Sequence, residues 1–263
     1  MAEVITDAQL INNFASKIME EPEQKVVTRA PSDSSVKLPG GFIKGTDLVT
    51  TAEVKELNGA DEEAIARAGS TGKALQVLLQ KGLLKLGSYD VTKDDLDTLL
   101  AGDRDAILVG IRCATFGETL DLTIRCPFCA DEHKTQVNLI DDVPVKSLQD
   151  PVADRQWEIE TKLGTAVVAL PNGIVRKKLM ENIEKTAAEV NTLLLAGCVV
   201  ALDGIPSVGA STALALSMSD RAKILDSIVD RNPGPRLGEV KKACKACGED
   251  IDLPLSLVDL FRL

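Results

Sequence analysis

The chain has 263 residues, 44% of them hydrophobic and 27% charged, ordinary proportions for a soluble globular protein with room for two domains. Aromatics make up only 3%, so the core must be aliphatic, and a formal net charge of −10 repels phosphate backbones and disfavours generic nucleic-acid binding. No segment approaches the ~18–20 continuous apolar residues of a membrane helix. The N-terminus carries acidic residues rather than the apolar block of a signal peptide, which predicts synthesis in a reducing cytoplasm.

In chain order, Leu10, Ile11, Phe14, Ala15 and Ile18 recur at helical spacing after Thr6 and Asp7, either of which can cap a helix. From about residue 20 to residue 37 the pattern dissolves into charged, Pro and Ser residues, which predicts a flexible linker. Residues 1–37 therefore read as an amphipathic helix on a leash, docked either on its own domain or on a neighbour.

A Leu-Pro-Gly-Gly run at 38–41 opens a first half, 38–145. A strand at 47–57 ends in Asn58-Gly59, a strong turn signal, and Asp61, Glu62 and Glu63 open the helix that follows. An apolar helix at 74–86, a short helix from Thr92 to residue 100 and a longer one from Asp103 come next, the last with Ile107, Leu108, Ile111 and Ala114 as its buried stripe. Gly117 ends it. Strands at 120–125 and 135–140 flank Cys126-Pro-Phe-Cys129.

The second half, 146–263, repeats this order. It has a strand at 167–170, a Pro171-Asn172-Gly173 turn, helices at about 175–186, 187–201, 211–217 and 220–229, and a loop at 232–235. Cys244-Lys-Ala-Cys247 follows, and then an extended segment at 251–257. Asp103-Arg104 and Asp220-Arg221 each open the longer helix, 117 residues apart, and the cysteine pairs lie 118 apart. A glycine interrupts a leucine-rich helix in each half, Gly82 and Gly197. These offsets predict an internal duplication with pseudo-twofold symmetry. The expected fold is α+β: two similar, mainly helical halves with short strands, joined at a zinc-ribbon-like four-cysteine site.

Zinc takes four tetrahedral ligands and binds thiolate well. Two CxxC turns brought together supply four sulfurs and leave no open position for substrate. Cys126, Cys129, Cys244 and Cys247 are therefore the expected ligands of one structural zinc ion, which ties residue 126 to residue 244. An iron–sulfur cluster suits the same four cysteines. A redox pair would need a strand-to-helix setting that Cys126 lacks, and the compartment disfavours disulfides. Cys113 and Cys198 read as core thiols. His133, the only histidine, reads as an exposed side chain on a hairpin, open to use as a base or a spare ligand. Asp103, Arg104, Asp220 and Arg221 read as helix-start charges or ion pairs. No Walker loop, dinucleotide fingerprint, nucleophile elbow or metalloprotease motif occurs, so enzyme chemistry is not expected.

The ordered set Leu38-Pro-Gly-Gly41, residues 54–63 (Val-Lys-Glu-Leu-Asn-Gly-Ala-Asp-Glu-Glu), residues 102–112 (Gly-Asp-Arg-Asp-Ala-Ile-Leu-Val-Gly-Ile-Arg), Phe116-Gly117 and Cys126-Pro-Phe-Cys129 resembles the T4-type baseplate hub proteins of contractile-tailed bacteriophages. The resemblance is clear over residues 38–140 and continues through Asp220-Arg221, Gly234-Pro235 and Cys244-Lys-Ala-Cys247. It implies a structural protein of the virion tail baseplate, made in the host cytoplasm, whose partners are other baseplate or tail subunits. It implies no catalytic residues, and only the four cysteines carry over, as zinc ligands. The long second half and the N-terminal leash depart from the compact family pattern. Alternative functions are a chaperone of baseplate or hub assembly that leaves the particle, and a nucleic-acid-binding zinc-ribbon module using Lys241, Lys242 and Lys245.

Overall fold

A computed structural model describes residues 34–182 and 184–261. The segment expected to form an N-terminal helix, and most of the expected linker, lie outside these residues.

The first elements are β1 (Ser35–Lys44), β2 (Asp47–Val54), α1 (Gly59–Ala66), α2 (Thr71–Gly82), β3 (Leu83–Leu86), β4 (Tyr89–Asp90), α3 (Lys93–Thr98) and α4 (Ala101–Phe116). The strands form an antiparallel sheet in the order β1-β2-β3-β4. After the hairpin β5 (Thr119–Arg125) and β6 (Glu132–Asn138), and β7 (Val145–Lys146), come β8 (Gln156–Thr161), β9 (Gly164–Ala169), α5 (Gly173–Met180), α6 (Ala187–Cys198), β10 (Val199–Leu202), β11 (Ile205–Pro206), α7 (Ala210–Ala215) and α8 (Met218–Arg231). The second sheet runs β11-β10-β9-β8. Finally β12 (Gly234–Pro235) pairs with β7, β13 (Lys241–Ala243) with β14 (Asp250–Asp252), and α9 (Leu257–Phe261) closes the described chain.

Side-chain caps fix most helix starts. Asn58 accepts from the backbone of Asp61 and Asn172 from that of Val175, while Ser70, Thr92, Thr186 and Ser217 cap α2, α3, α6 and α8. Asp61, Asp95 and Glu189 return the bond as capping boxes.

Several segments differ from the sequence reading. The expected linker ends earlier, because residues 35–37 already pair with β2. The Leu-Pro-Gly-Gly run is a bulge inside β1: the register shifts between Lys37 and Phe42, and Gly41 takes φ +68°. Residues 83–86 and 199–202 are strands, not helix ends, since Leu83 and Val199 turn extended at the caps of α2 and α6. Neither β8 nor the helix at 257–261, which begins where the expected extended segment ends, has a counterpart in the sequence reading. The leucine-rich helices end at Gly82 and one residue after Gly197, and a Cβ on these glycines would meet Ile111 and Val175 respectively, so the two serve different contacts.

Two apolar clusters form the core. One gathers Phe42, Val54, Leu78, Leu86, Ile107 and Ile111, and it also takes Leu237, Val240, Leu257 and Leu260 from the end of the chain. The other holds Trp157, Val168, Leu195, Ile224 and Ile228, with Leu100 reaching in from the start of α4. The C-terminal segment thus crosses back onto the first cluster, and Arg112 Nε donates to Leu260 O at 2.8 Å.

The clusters meet at the start of α4 through backbone. Ala101 N–H donates to Pro171 O (2.8 Å) and Gly173 N–H to Leu99 O (2.9 Å). A Cβ on Gly173 would lie 2.1 Å from Leu96 O, and one on Gly102 would lie 1.5 Å from Pro233 O. Asp103 and Arg104 lie in the first turn of α4, where helix-start charges are expected, and both are buried here. Gly40 N–H donates to Asp103 Oδ1 at 2.7 Å, and Arg104 Nη1 donates to Leu96 O at 2.5 Å. The inward turn follows from packing, since the β1 bulge and the end of α3 present backbone groups that need partners. Asp220 is also buried, and it accepts from Lys162 N–H (3.3 Å) and Ser217 Oγ (2.7 Å).

Burial pushes the Asp103 carboxyl up to about 7, against the Gly40 amide and the charge of Arg155. Its ordinary value is 3.8, so folding takes up a proton between those limits. The contribution is fully present below about pH 4 and is lost as pH rises through about 7. Asp103→Asn is expected to remove this dependence. The variant should gain stability relative to the wild type between pH 5 and pH 8, with roughly 4 kcal/mol as the upper bound, read by denaturant unfolding at each pH. Gly102→Ala should lower stability by about 2–3 kcal/mol or more, because backbone must move to admit the methyl. Gly59→Ala, with nothing within 4 Å of the new Cβ, should cost nothing in the same unfolding measurements.

Candidate metal centre

Each CxxC segment turns back at the end of a strand. Cys126 follows β5, donates its N–H to Asp131 O (2.8 Å), and accepts at its carbonyl from Ala130 N–H (2.9 Å). Cys244 follows β13 and does the same with Glu249 O (2.8 Å) and Gly248 N–H (2.9 Å). The residue after each second cysteine takes a left-handed conformation, Ala130 at φ +61° and Gly248 at φ +79°, which closes the turn. Phe128 N–H points at Cys126 Sγ, 3.4 Å away.

The hairpins β5–β6 and β13–β14 bring the turns face to face. Cys126 Sγ lies 3.7 Å from Cys247 Sγ, and Cys129 Sγ lies 3.7 Å from Cys244 Sγ. All four sulfurs fall within 4.8 Å of one another. Cys126 and Cys244 are buried, while Cys129 and Cys247 face outward. Lys245 Nζ donates to Lys134 O (2.5 Å) across the two hairpins, and Lys242 pairs with Asp142 at 2.6 Å.

These separations decide between chemistries. A disulfide needs about 2.05 Å between sulfurs, and all four thiols are free. A zinc ion with ~2.3 Å bonds to four sulfurs in a regular tetrahedron sets them roughly 3.8 Å apart, so the donor set fits that ion. The electrostatics point the same way. The Cys247 amide, aided by that of Ala246 and by neighbouring thiols, draws Cys244 down to about 6 against its desolvation. Cys247 is pushed up to about 12: the Glu249 amide favours its thiolate, but desolvation and the adjoining thiols outweigh that. Cys129 is also raised, by desolvation and by Cys126 and Cys244, against the Asp131 amide. One thiolate forms easily and the next resist. A cation in the centre is what lets four negative sulfurs stand together.

His133 sits on β6, as expected of a hairpin residue, but its side chain is only 11% exposed, packed by the opposing knuckle rather than free in solvent. Its Nδ1 lies 3.1 Å from Asp131 Oδ2, and the ligand atoms of Asp131, His133 and Cys244 fall within 4.8 Å of one another. That set shares Cys244 with the four-sulfur cluster and offers one sulfur where the cluster offers four. The proximity of Asp131 carried no sequence signal, because it arises only when the second knuckle arrives. Cys113 and Cys198 are pushed up by burial to about 11 and about 12, as inert thiols. Two lysines proposed for nucleic acid are neutralised, Lys241 by Asp252 (3.2 Å) and Lys242 by Asp142.

A groove of about 870 Å³ between α2 and α5 is lined by Lys73, Gln76, Lys93, Lys177 and Glu181, a set with no activated nucleophile. Among the described residues no helix is long and apolar enough to cross a membrane.

No curated protein and no solved structure matches the chain. The family model described as T4 bacteriophage base plate protein matches residues 36–262, nearly all of the described chain and both knuckles. The chain therefore belongs to the T4 bacteriophage base plate protein family.

Proposed function

We propose that this protein is a non-catalytic building block of the hub region of the phage tail baseplate, held rigid by one structural zinc ion on Cys126, Cys129, Cys244 and Cys247. It is made in the host cytoplasm, resides in the virion and contacts other baseplate or tail subunits. Family membership supports the baseplate setting. The observation that carries the zinc reading is the pair of 3.7 Å sulfur–sulfur contacts between knuckles 118 residues apart in sequence. The ion closes a long loop and contributes folding free energy, on the order of 10 kcal/mol in small zinc-finger peptides.

The chain is, in this reading, two copies of one plan, 38–145 and 146–263, joined at a zinc ribbon. Both sheets have the same strand order. Asn58 and Asn172 cap matching helices, and Ser70 and Thr186 cap the next ones. Arg104 donates to Leu96 O and Arg221 to Ala213 O, in each case eight residues back. The mechanism is geometric: two sheets, a backbone joint and a metal clip present subunit-binding surfaces in fixed relation.

Native mass spectrometry is expected to find one zinc per chain. Cys126→Ser and Cys244→Ser should each abolish it and lower the melting temperature, and chelation should bring the wild type down to the same level. A wild type that carries no metal and melts unchanged in chelator overturns the zinc reading. Proteomic analysis of purified particles should contain the polypeptide. Its presence in infected cells but absence from particles would instead favour an assembly chaperone.

A further inference from the structure

The joint between the two sheets is head-to-tail. The Pro171-Asn172-Gly173 turn and the Pro233–Gly234 backbone, both from the second half, seat on the α3–α4 junction of the first. They approach closely enough that Gly102, Gly173 and Gly234 can carry no side chain. A heterologous contact of this kind between two like units leaves one unused surface at each end. Both unused surfaces are visible.

The equivalent of the seat is the α7–α8 junction, offset by 117 residues. Ala101, buried in the first unit, becomes Met218, which is 89% exposed. Asp97 becomes Leu214, 67% exposed, and exposed Leu163 lies in the turn whose Lys162 N–H bonds to Asp220, two residues past Met218. Leu216 and Met218 stand where Leu99 and Ala101 make their bridging hydrogen bonds. Among the described residues the bridge at Leu100 and Asn172 has no second-unit counterpart.

The equivalent of the plug is the Asn58-Gly59 turn with Phe116-Gly117. Gly59 and Gly117 occupy the places of Gly173 and Gly234, yet a Cβ on either would meet nothing within 4 Å. Phe116, in the place of Pro233, is 61% exposed. The bareness that the inner joint demands is thus present where nothing described meets the two glycines, although Arg112 lies over one side of the Phe116 ring and donates to the Gly117 carbonyl.

Charge separates the two contacts. In the inner joint α5 carries Arg176, Lys177 and Lys178, and Arg176 pairs with Asp105 of α4 at 3.3 Å beside the carboxylate-rich α3. At the free ends this reverses: α1 exposes Glu62 and Glu63, its Asp61 being buried and paired with Lys55 at 2.7 Å, while α7 is uncharged and α8 has Ala222 and Lys223 in the places of Asp105 and Ala106. An acidic plug suits the outer seat and not the inner one, which selects for the outer pairing.

We propose that the occupant of the α7–α8 face is a second copy of this chain, whose Asn58-Gly59 turn and Phe116 repeat the inner joint between molecules in a head-to-tail ring or row. Ser219 stands in the place of Gly102, where a Cβ in the inner joint would lie 1.5 Å from the Pro233 carbonyl, so the outer joint repeats the turn contact at a wider spacing and is looser and reversible. It rests on the repeated plan and not on the zinc ion or the particle.

Sedimentation velocity on the full chain, over a wide concentration series with its metal kept as purified, tests this. The wild type should associate with rising concentration. Gly59→Leu on the plug and Met218→Asp on the seat should each weaken association roughly tenfold or more, with unchanged melting temperatures because both sites are open. An equimolar mixture of the two variants retains one intact plug and one intact seat and should form dimers that grow no further. A wild type monomeric at every concentration overturns the proposal, as does association that ignores both substitutions. A mixture that stays monomeric would mean a twofold contact instead. Association lost on removing residues 1–33 but untouched by either substitution would assign it to that segment.

Discussion

The structure depends on backbone meeting backbone at the start of α4. Hydrogen bonds from Ala101 to Pro171 and from Gly173 to Leu99 join the elements of one sheet to those of the other. They form because Gly102, Gly173 and Gly234 leave no Cβ in the way. Burying peptide groups is costly unless each finds a partner, so the joint is tied to this geometry and tolerates little drift. The β1 bulge lies on the same spot. Its Gly40 amide meets Asp103, its Pro39 carbonyl takes the Leu148 amide, and Arg155 Nη2 reaches the Gly41 carbonyl at 2.5 Å.

A second tie lies at the cysteines. The last part of the chain, from Leu237 onward, leaves the second apolar cluster and packs into the first. This crossing carries Cys244 and Cys247 to Cys126 and Cys129. The knuckles meet mainly through sulfur, flanked by a few polar contacts such as Lys242 with Asp142. Without a cation, the opposed titrations of Cys244 and Cys247 describe four thiols that resist sharing negative charge. With one, the same arrangement becomes a clip across the ends of the molecule.

With a cation bound, joint and clip would together hold the two sheets in one relation. The described surface includes an acidic turn at α1 and an exposed apolar junction at α7–α8. The family the chain belongs to is that of the T4 bacteriophage base plate protein.

The sequence by itself determined the start of α3, the Asn58-Gly59 turn and the pairing of cysteines within each CxxC segment. These are local matters: Thr92 caps through a hydrogen bond to the amide three residues on, and a CxxC spacing presents two sulfurs whatever the rest of the chain does, whereas Thr186, read as the end of one helix, caps the next. The repeat offsets were also legible, since residue identities carry them. Tertiary structure alone decided the strands at 35–44, 83–86, 156–161 and 199–202. Apolar runs such as Leu83-Leu84 and Val199-Val200 continue a helical pattern and become strands only because a neighbouring edge offers hydrogen bonds. It decided that Asp103 and Arg104 turn inward, since their partners are backbone groups of β1 and α3. It decided that Asp131 and His133 stand beside Cys244, because that meeting exists only after the chain has crossed between cores. Local hydrogen bonds can be read from neighbours in sequence, whereas burial and close approach depend on which distant surface arrives.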